Sequence, residues 1–305
     1  MEPWRYLPNP WRDALMELAL PWRACVEEIR FRVGRPVYLY GGGWSQPLSP
    51  PSLPVRLSLG DMERIVEALV EHSLYARAHE LRQGYITIGG GHRVGIAGRA
   101  VISQSHVDTV RHITGLNMRV AREIPGIGVS LLSRLTIGGE MGSWLLAAPP
   151  RGGKTTMLRD LVRILGDQGQ RVVVIDERSE IGGMGSNGTS PFDLGCHTDV
   201  LDGWPKPQGI AIALRTLGPD VVAVDELGGE EDLAAVARAR QAGVQVLATV
   251  HARSQADLLG RGAFMRAWQA GIFDGVVFLR RGPQQESHDQ VWTRPTALQA
   301  TNPVS

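Results

Sequence analysis

Trp144-Leu145-Leu146-Ala147-Ala148-Pro149-Pro150-Arg151-Gly152-Gly153-Lys154-Thr155-Thr156 is the stretch that decides the fold. From Ala148 to Thr155 it matches the phosphate-binding loop GxxxxGK[ST], with Ala at the first position. The apolar run before it reads as a buried strand. Leu158, Leu161, Val162 and Leu165 after it share one face of a helix expected over about 155–166. The loop's mechanism needs this strand–loop–helix order, because successive backbone N–H groups and a helix N-terminus must converge on phosphate oxygens. Gly152 and Gly153 permit the close approach, with Pro150 and Arg151 completing the loop. Lys154 would reach the β and γ phosphates, Thr155 would place its hydroxyl on Mg²⁺, and Thr156 would donate to the α phosphate. The alternative is a glycine turn beside an exposed lysine.

Downstream, apolar strands expected at about 171–175, 220–224, 244–250 and 275–280 join the one at 143–148, with helices between them. A helix over about 230–242 carries Leu233, Val236 and Ala237, and another opens at Ser254 with Asp257 as its capping partner. This rhythm predicts a mostly parallel sheet with both faces covered. Ligands of such sheets bind outside the carboxyl ends of the strands, so the residues ending each strand are the candidates. Val221-Val222-Ala223-Val224 delivers Asp225 and Glu226 there. Asp225 suits the metal and Glu226 suits a general base for an attacking water. Val172–Ile175 ends in Asp176-Glu177-Arg178, where Glu177 could orient water or bind a partner subunit's arginine. Val246–Val250 ends in His251, a candidate sensor of the terminal phosphate through one hydrogen bond. An acidic turn and a structural histidine are the bland readings of these residues.

Upstream, the first 130 or so residues read as a smaller α/β domain with a linker. Ile29, Phe31 and Val33 alternate with Arg30 and Arg32 in a half-buried strand, and a second strand spans Val37–Tyr40. Proline-rich Trp44–Pro54 reads as an exposed loop. Ser58 and Asp61 form a capping-box pattern ahead of a helix expected over about 59–81. Tyr85–Ile88, three glycines and His92–Val101 read as a hairpin. Residues 131–282 would form the nucleotide domain, and polar 283–305, with Pro283, Pro295 and Pro303, a loose tail.

Composition excludes several classes. With 305 residues, 43% of them hydrophobic and 21% charged, the chain has material for packed cores. Lys plus Arg at 32 against Asp plus Glu at 31 leaves a formal charge of +1, so nothing steers the whole molecule toward nucleic acid or anionic lipid. No apolar run approaches the ~18 residues that a membrane span requires. Pro3, Pro8 and Pro10 interrupt the region a signal peptide would occupy, which gives a cytoplasmic expectation. Cys25 and Cys196 lack metal or disulfide spacing.

A set of motifs extends beyond the loop: Glu28-Ile29-Arg30-Phe31-Arg32, Gly84-Tyr85-Ile86-Thr87-Ile88 with His92-Arg93-Val94-Gly95, Leu116-Asn117-Met118-Arg119-Val120-Ala121-Arg122, Asp176-Glu177-Arg178-Ser179-Glu180, Thr198-Asp199-Val200-Leu201-Asp202, and Arg215 through Pro219-Asp220 to Asp225-Glu226. Together they resemble the secretion-motor class of P-loop ATPases that drives type II and type IV secretion and pilus assembly, and within it the stage III sporulation AA family. The resemblance spans nearly the whole chain. It implies a RecA-like ATPase domain and a Mg²⁺-dependent, ATP-hydrolysing homohexamer of the endospore-forming mother cell. Such a ring would be peripheral to the inner face of the membrane, and its partners would be membrane components of a secretion-like complex linking mother cell and forespore. It also implies arginines lent to the nucleotide by the N-terminal domain and linker, a role that suits Arg119 and Arg122, with Arg99 and Arg215 as weaker candidates. Ala148 departs from the usual loop glycine, and His197 stands where the family carries arginine. Two other classes stay open: an ATPase that binds single-stranded nucleic acid, disfavoured by the absence of a basic tail, and a nucleotide-dependent switch with little turnover.

Overall fold

The structure, a computed structural model, describes residues 2–41, 43–50, 54–70, 81–103, 106–137, 139–150, 152–184, 189–280 and 289–293. The chain forms two compact units, Met1–Arg122 with Gly183–Phe192, and Glu123–Gly182 with Asp193–Ser305.

In the first unit, helices α1 (Trp11–Met16) and α2 (Leu20–Cys25) precede strands β1 (Glu28–Arg32), β2 (Tyr38–Gly41) and β3 (Trp44–Pro47). Helix α3 (Leu59–Val70) and strands β4 (Tyr85–Ile88), β5 (His92–Ser103) and β6 (His106–Arg119) follow. The six strands lie in the order β3-β2-β1-β6-β5-β4, and every pairing is antiparallel. Alternation does the sorting: Ile29 and Phe31 face Met118 and Leu116 across the β1–β6 register and are buried with Trp11, Leu15, Met62 and Ile65, while the arginines between them point to the other face.

The capping box forms as expected, with Asp61 N–H donating to Ser58 Oγ (3.1 Å) and Ser58 N–H donating to Asp61 Oδ2 (3.0 Å). The helix behind it is described over Leu59–Val70; residues 71–80 of the expected helix lie outside the described residues. Trp44–Pro47 is a strand rather than loop. Gly43, at φ +88°, turns the chain back on β2, and Leu48 N–H continues the pairing to Val37 O. The far strand of the hairpin runs on to Ser103, and β6, which the sequence reading passed over, pairs along it.

The second unit opens with α4 (Val129–Leu135) and a short hairpin, β7 (Thr136–Ile137) and β8 (Glu140–Met141). Then come β9 (Trp144–Ala148), α5 (Lys154–Asp167), β10 (Val172–Asp176), β11 (Thr198–Asp202), α6 (Lys206–Ile212), β12 (Val221–Val224), α7 (Glu230–Gln241), β13 (Gln245–His251), α8 (Gln255–Leu259), α9 (Gly262–Gln269), β14 (Gly275–Phe278) and β15 (Gln290–Thr293). The sheet order is β11-β10-β12-β13-β9-β14-β15, parallel except for β15 against β14. β9, β10 and β12 are buried at every position, as strands covered on both faces must be.

Three differences from expectation appear here. β11 lines the sheet edge; its mixed sequence Thr-Asp-Val-Leu-Asp carries no strand alternation. β15 lies inside the expected loose tail, held by pairing to β14 and by Trp292 stacked on Trp268 at a centroid separation of 3.8 Å. Residues 123–130 fold with this unit rather than with the N-terminal one, because Gly126 and Gly128 donate their N–H groups to Asp160 of α5 at 3.0 and 2.7 Å. Among the described residues no helix is long and apolar enough to cross a membrane.

Candidate nucleotide site

The loop after β9 has the backbone its function needs. Gly153 sits at φ +83°, in the left-handed region that costs other residues about 1–2 kcal/mol, and caps α5 directly. A Cβ on Gly152 would stand 2.5 Å from Ala148 Cβ and 2.9 Å from Pro149 O, so only glycine fits this turn. Ala148 itself is buried as the last residue of β9, so the alanine at the head of the motif costs nothing in packing. Pro149 and Pro150 are exposed, and Thr155 and Thr156 are half-buried on the first turn of α5. Arg151 lies outside the described residues.

Lys154 is buried, and its ammonium is within reach of Ala148 O (3.2 Å), Pro149 O (3.4 Å) and His251 Nδ1 (2.8 Å). Burial lowers its pKa, an effect that the carboxylates of Glu226, Asp225 and Glu180 oppose. An ammonium has only protons to give, so Nδ1 accepts and the ring proton sits on Nε2. That Nε2 faces Glu226 Oε2 at 3.2 Å. Lys154, His251 and Glu226 therefore stand in a row across the ends of β9, β13 and β12, a hydrogen bond joining the first two and a 3.2 Å contact the last two. Asp225, buried at the end of β12, accepts a hydrogen bond from Thr249 Oγ1 at 3.3 Å.

Glu177 has turned to Lys206, a buried residue opening α6, and the two form an ion pair. Sequence reasoning missed Lys206, whose partner is 29 positions away, and placed Arg178 at the strand end without a role; its Nη1 is 4.0 Å from Glu226 Oε2. Asp176, read from the sequence only as part of an acidic strand end, is fully buried and accepts N–H groups from Glu180, Ile181 and Gly182. Burial pushes the Asp176 carboxyl up to about 7, against the pull of those donors.

The expected N-terminal arginines belong to the first unit. Arg119, at the end of β6, is exposed. Arg122 donates to the carbonyls of Arg23 (3.2 Å) and Val26, so part of its hydrogen bonding is spent within that unit. Arg99 is exposed on β5, and Arg215 is exposed on the helical turn Ala213–Leu217 of the second unit. An apolar cavity of about 370 Å³ in the first unit, lined by Val66, Leu69, Ile86, Ile96 and Ile113, offers nothing to hold a phosphate.

The family model for Sporulation stage III, protein AA matches residues 7–289. The chain is 36% identical over 296 residues to the Stage III sporulation protein AA of Bacillus subtilis (strain 168), spanning 94% of this chain and 93% of that protein. Two solved structures share the fold. The ATPase DotB of Yersinia pseudotuberculosis superposes with a TM-score of 0.65 at 15% identity, over 96% of this chain and 81% of that one. The pilus retraction motor PilT with bound ADP superposes with a TM-score of 0.61 at 16% identity, over 90% and 81%. The chain belongs to the Sporulation stage III, protein AA family and shares its α/β fold with the ATPase DotB and the pilus retraction motor PilT.

Proposed function

We propose that this member of the Sporulation stage III, protein AA family hydrolyses ATP at the loop between β9 and α5. In this reading it is a subunit of an oligomeric motor, a homohexamer, that serves a secretion-like complex in endospore formation. The observation that carries the reading is the row Lys154–His251–Glu226, which brings a phosphate-seeking cation and a candidate base together through one imidazole. The bound ADP of the PilT structure, on the same fold, supports a nucleotide as the ligand.

The residues fit this substrate. The Gly152–Gly153 turn and the first amides of α5 would cradle the phosphates together with Pro150, Arg151, Thr155 and Thr156, and Lys154 would exchange its carbonyl contacts for phosphate oxygens. Thr155 and Asp225 would hold Mg²⁺, one hydroxyl and one carboxylate being enough for an ion that keeps several waters and takes phosphate oxygens for the rest. Bound there, Mg²⁺ would neutralise charge on the phosphates. Glu226 would take the proton of the attacking water. His251 would orient Glu226 by its Nε2–H and report on Lys154 through Nδ1. Glu177, held by Lys206, would act from the rim of the site. Arg119 and Arg122 would act on a neighbouring subunit's nucleotide. The ring would work from the mother-cell side at the inner face of the membrane, docked on membrane components of the complex. Lys154→Ala tests the site: it should abolish ATP binding by the purified chain, and binding at wild-type affinity would refute it.

A further inference from the structure

We propose that Arg178 is a catalytic arginine supplied to the reacting phosphoryl group from within the same subunit, with Asp176 and Arg159 as the positioning residues that hold its loop. The proposal rests on the ATP-hydrolysing reading above and deepens it.

Two successive side chains leave the end of β10 for different partners. Glu177 pairs with Lys206, while Arg178 approaches the Glu226 oxygen that His251 also faces. Parallel pairing of β10 with β12, Ile175 opposite Val224, brings Asp176 level with Asp225 and Glu177 level with Glu226, with Arg178 one position beyond, close enough to reach Glu226. The Arg178 side chain is 51% exposed, so it is open to a ligand in the crevice. Its contact with Glu226, at 4.0 Å, is a loose one that a doubly charged phosphoryl group would outcompete.

The loop beyond Arg178 is built more firmly than a surface connection requires. Asp176, 0% exposed, takes the N–H of Glu180 on Oδ1 (2.8 Å) and those of Ile181 (2.9 Å) and Gly182 (2.7 Å) on Oδ2. Arg159, 3% exposed, donates from Nη2 to Glu180 O (2.7 Å) and from Nε to Ile181 O (2.8 Å). The amide edge and the carbonyl edge of one short segment are thus both held by buried ionisable side chains. Ser179 is bent to φ +53° and fastened by its hydroxyl to Asp202 Oδ1 at 2.5 Å. Burying a carboxyl and a guanidinium is costly unless each is fully bonded, so a loop that merely linked two segments would gain nothing from them. Arg159 lies on α5, the helix that Lys154 opens, which fixes the Arg178 loop to the same rigid element as the phosphate loop.

The chemistry gives the arginine its task. An oxygen of water bonds to the terminal phosphorus, the bond from that phosphorus to the bridging oxygen breaks with its electron pair left on ADP, and the water's proton passes to Glu226. Negative charge spreads over the equatorial oxygens as this happens, and a planar guanidinium suits them better than an ammonium does. Arg178 swinging from Glu226 to those oxygens would also relieve Glu226 of a positive neighbour as it becomes a base.

The test is steady-state ATP turnover by the full chain with Arg178→Ala, Arg178→Lys, Arg159→Lys and the Arg178→Ala/Arg159→Lys pair, beside Lys154→Ala. Arg178→Ala should lower kcat about 100-fold with KM for ATP within about threefold, the signature of an interaction made in the transition state. Arg178→Lys should recover less than about a tenth of the lost rate. Arg159→Lys should lower kcat about 10-fold, and the pair should be no slower than Arg178→Ala alone, because both act through one group. A merely structural Arg159 would give additive losses and would overturn its positioning role. If Arg178→Ala turns over within about twofold of wild type while Lys154→Ala loses ATP, Arg178 is not catalytic and the site reading stands. If Lys154→Ala also hydrolyses ATP at the wild-type rate, both fall together.

Discussion

The imidazole Nδ1 of His251 lies 2.8 Å from the ammonium of Lys154, although the two residues are 97 positions apart in the chain. Parallel pairing makes the meeting possible: β13 runs beside β9 with His251 opposite Ala148, so the strand that ends in histidine delivers it to the mouth of the phosphate loop. The lysine then dictates which ring nitrogen carries the proton, and that nitrogen faces the candidate base.

His251→Ala removes this link and leaves the loop's own residues in place. ATP affinity should stay within a few-fold, while kcat falls about 10- to 100-fold as Glu226 loses its orienting donor. His251→Asn, which keeps one N–H donor, should recover part of the loss. Nucleotide titration beside turnover measures both quantities.

Gly152→Ala and Gly153→Ala test the loop's backbone. At Gly152 the added methyl meets Ala148 Cβ and Pro149 O at 2.5 and 2.9 Å, so the turn must open and ATP affinity should drop sharply. At Gly153 there is the cost of a left-handed alanine, about 1–2 kcal/mol, seen as a lower unfolding midpoint.

Asp176 gives the stability a pH dependence whose sign follows from burial. The folded carboxyl keeps its proton up to about pH 7, whereas the unfolded chain releases it near 3.8. Between those values the native state binds more protons, so this residue's contribution to stability declines as pH rises through the window and is constant above it. Asp176→Asn cannot ionise and should lose that slope, while its amide, facing N–H donors, costs about 1–3 kcal/mol overall. Urea midpoints of the two proteins from pH 4 to pH 8 should converge with rising pH; parallel curves would contradict the assignment.

Arg119 and Arg122 should part company. Arg122→Ala strips a donor from the carbonyls of Arg23 and Val26 and should lower the unfolding midpoint by an amount corresponding to about 1–3 kcal/mol. Exposed Arg119→Ala should leave the midpoint nearly unchanged. If Arg119 serves a neighbouring subunit, its removal should lower turnover only in the assembled particle, which sizing with and without ATP identifies.

The parts legible in the sequence were those where one strong local signal coincides with the buried layer. β9, β10, β12 and β13 are apolar runs because parallel strands are covered on both faces, and their last residues were read as the site for that reason. β11, β15 and β3 lie at sheet edges, where half the surface is polar and pattern fades; Pro47 in β3, which has no N–H to donate, is tolerated at an edge because no further strand pairs there. Arg159 and Asp160 lie between the apolar residues Leu158 and Leu161, and their charge gives no sign of burial. They are buried because α5 meets loops on its remaining sides, and the partners there are backbone groups of residues 126, 128, 180 and 181, a relation no spacing along the chain encodes. Lys206 gave no local signal at all. Its role is set by the packing of α6 beside the end of β10.

The central claim is that Glu226 and Lys154 serve one ATP-hydrolysing site. Glu226→Gln, assayed for ATP binding and for phosphate release beside the wild-type chain, tests it most directly. The account predicts ATP retained at wild-type affinity with phosphate release lowered at least about 100-fold. Turnover of the variant at the wild-type rate, or a wild-type chain that binds no ATP, would contradict it.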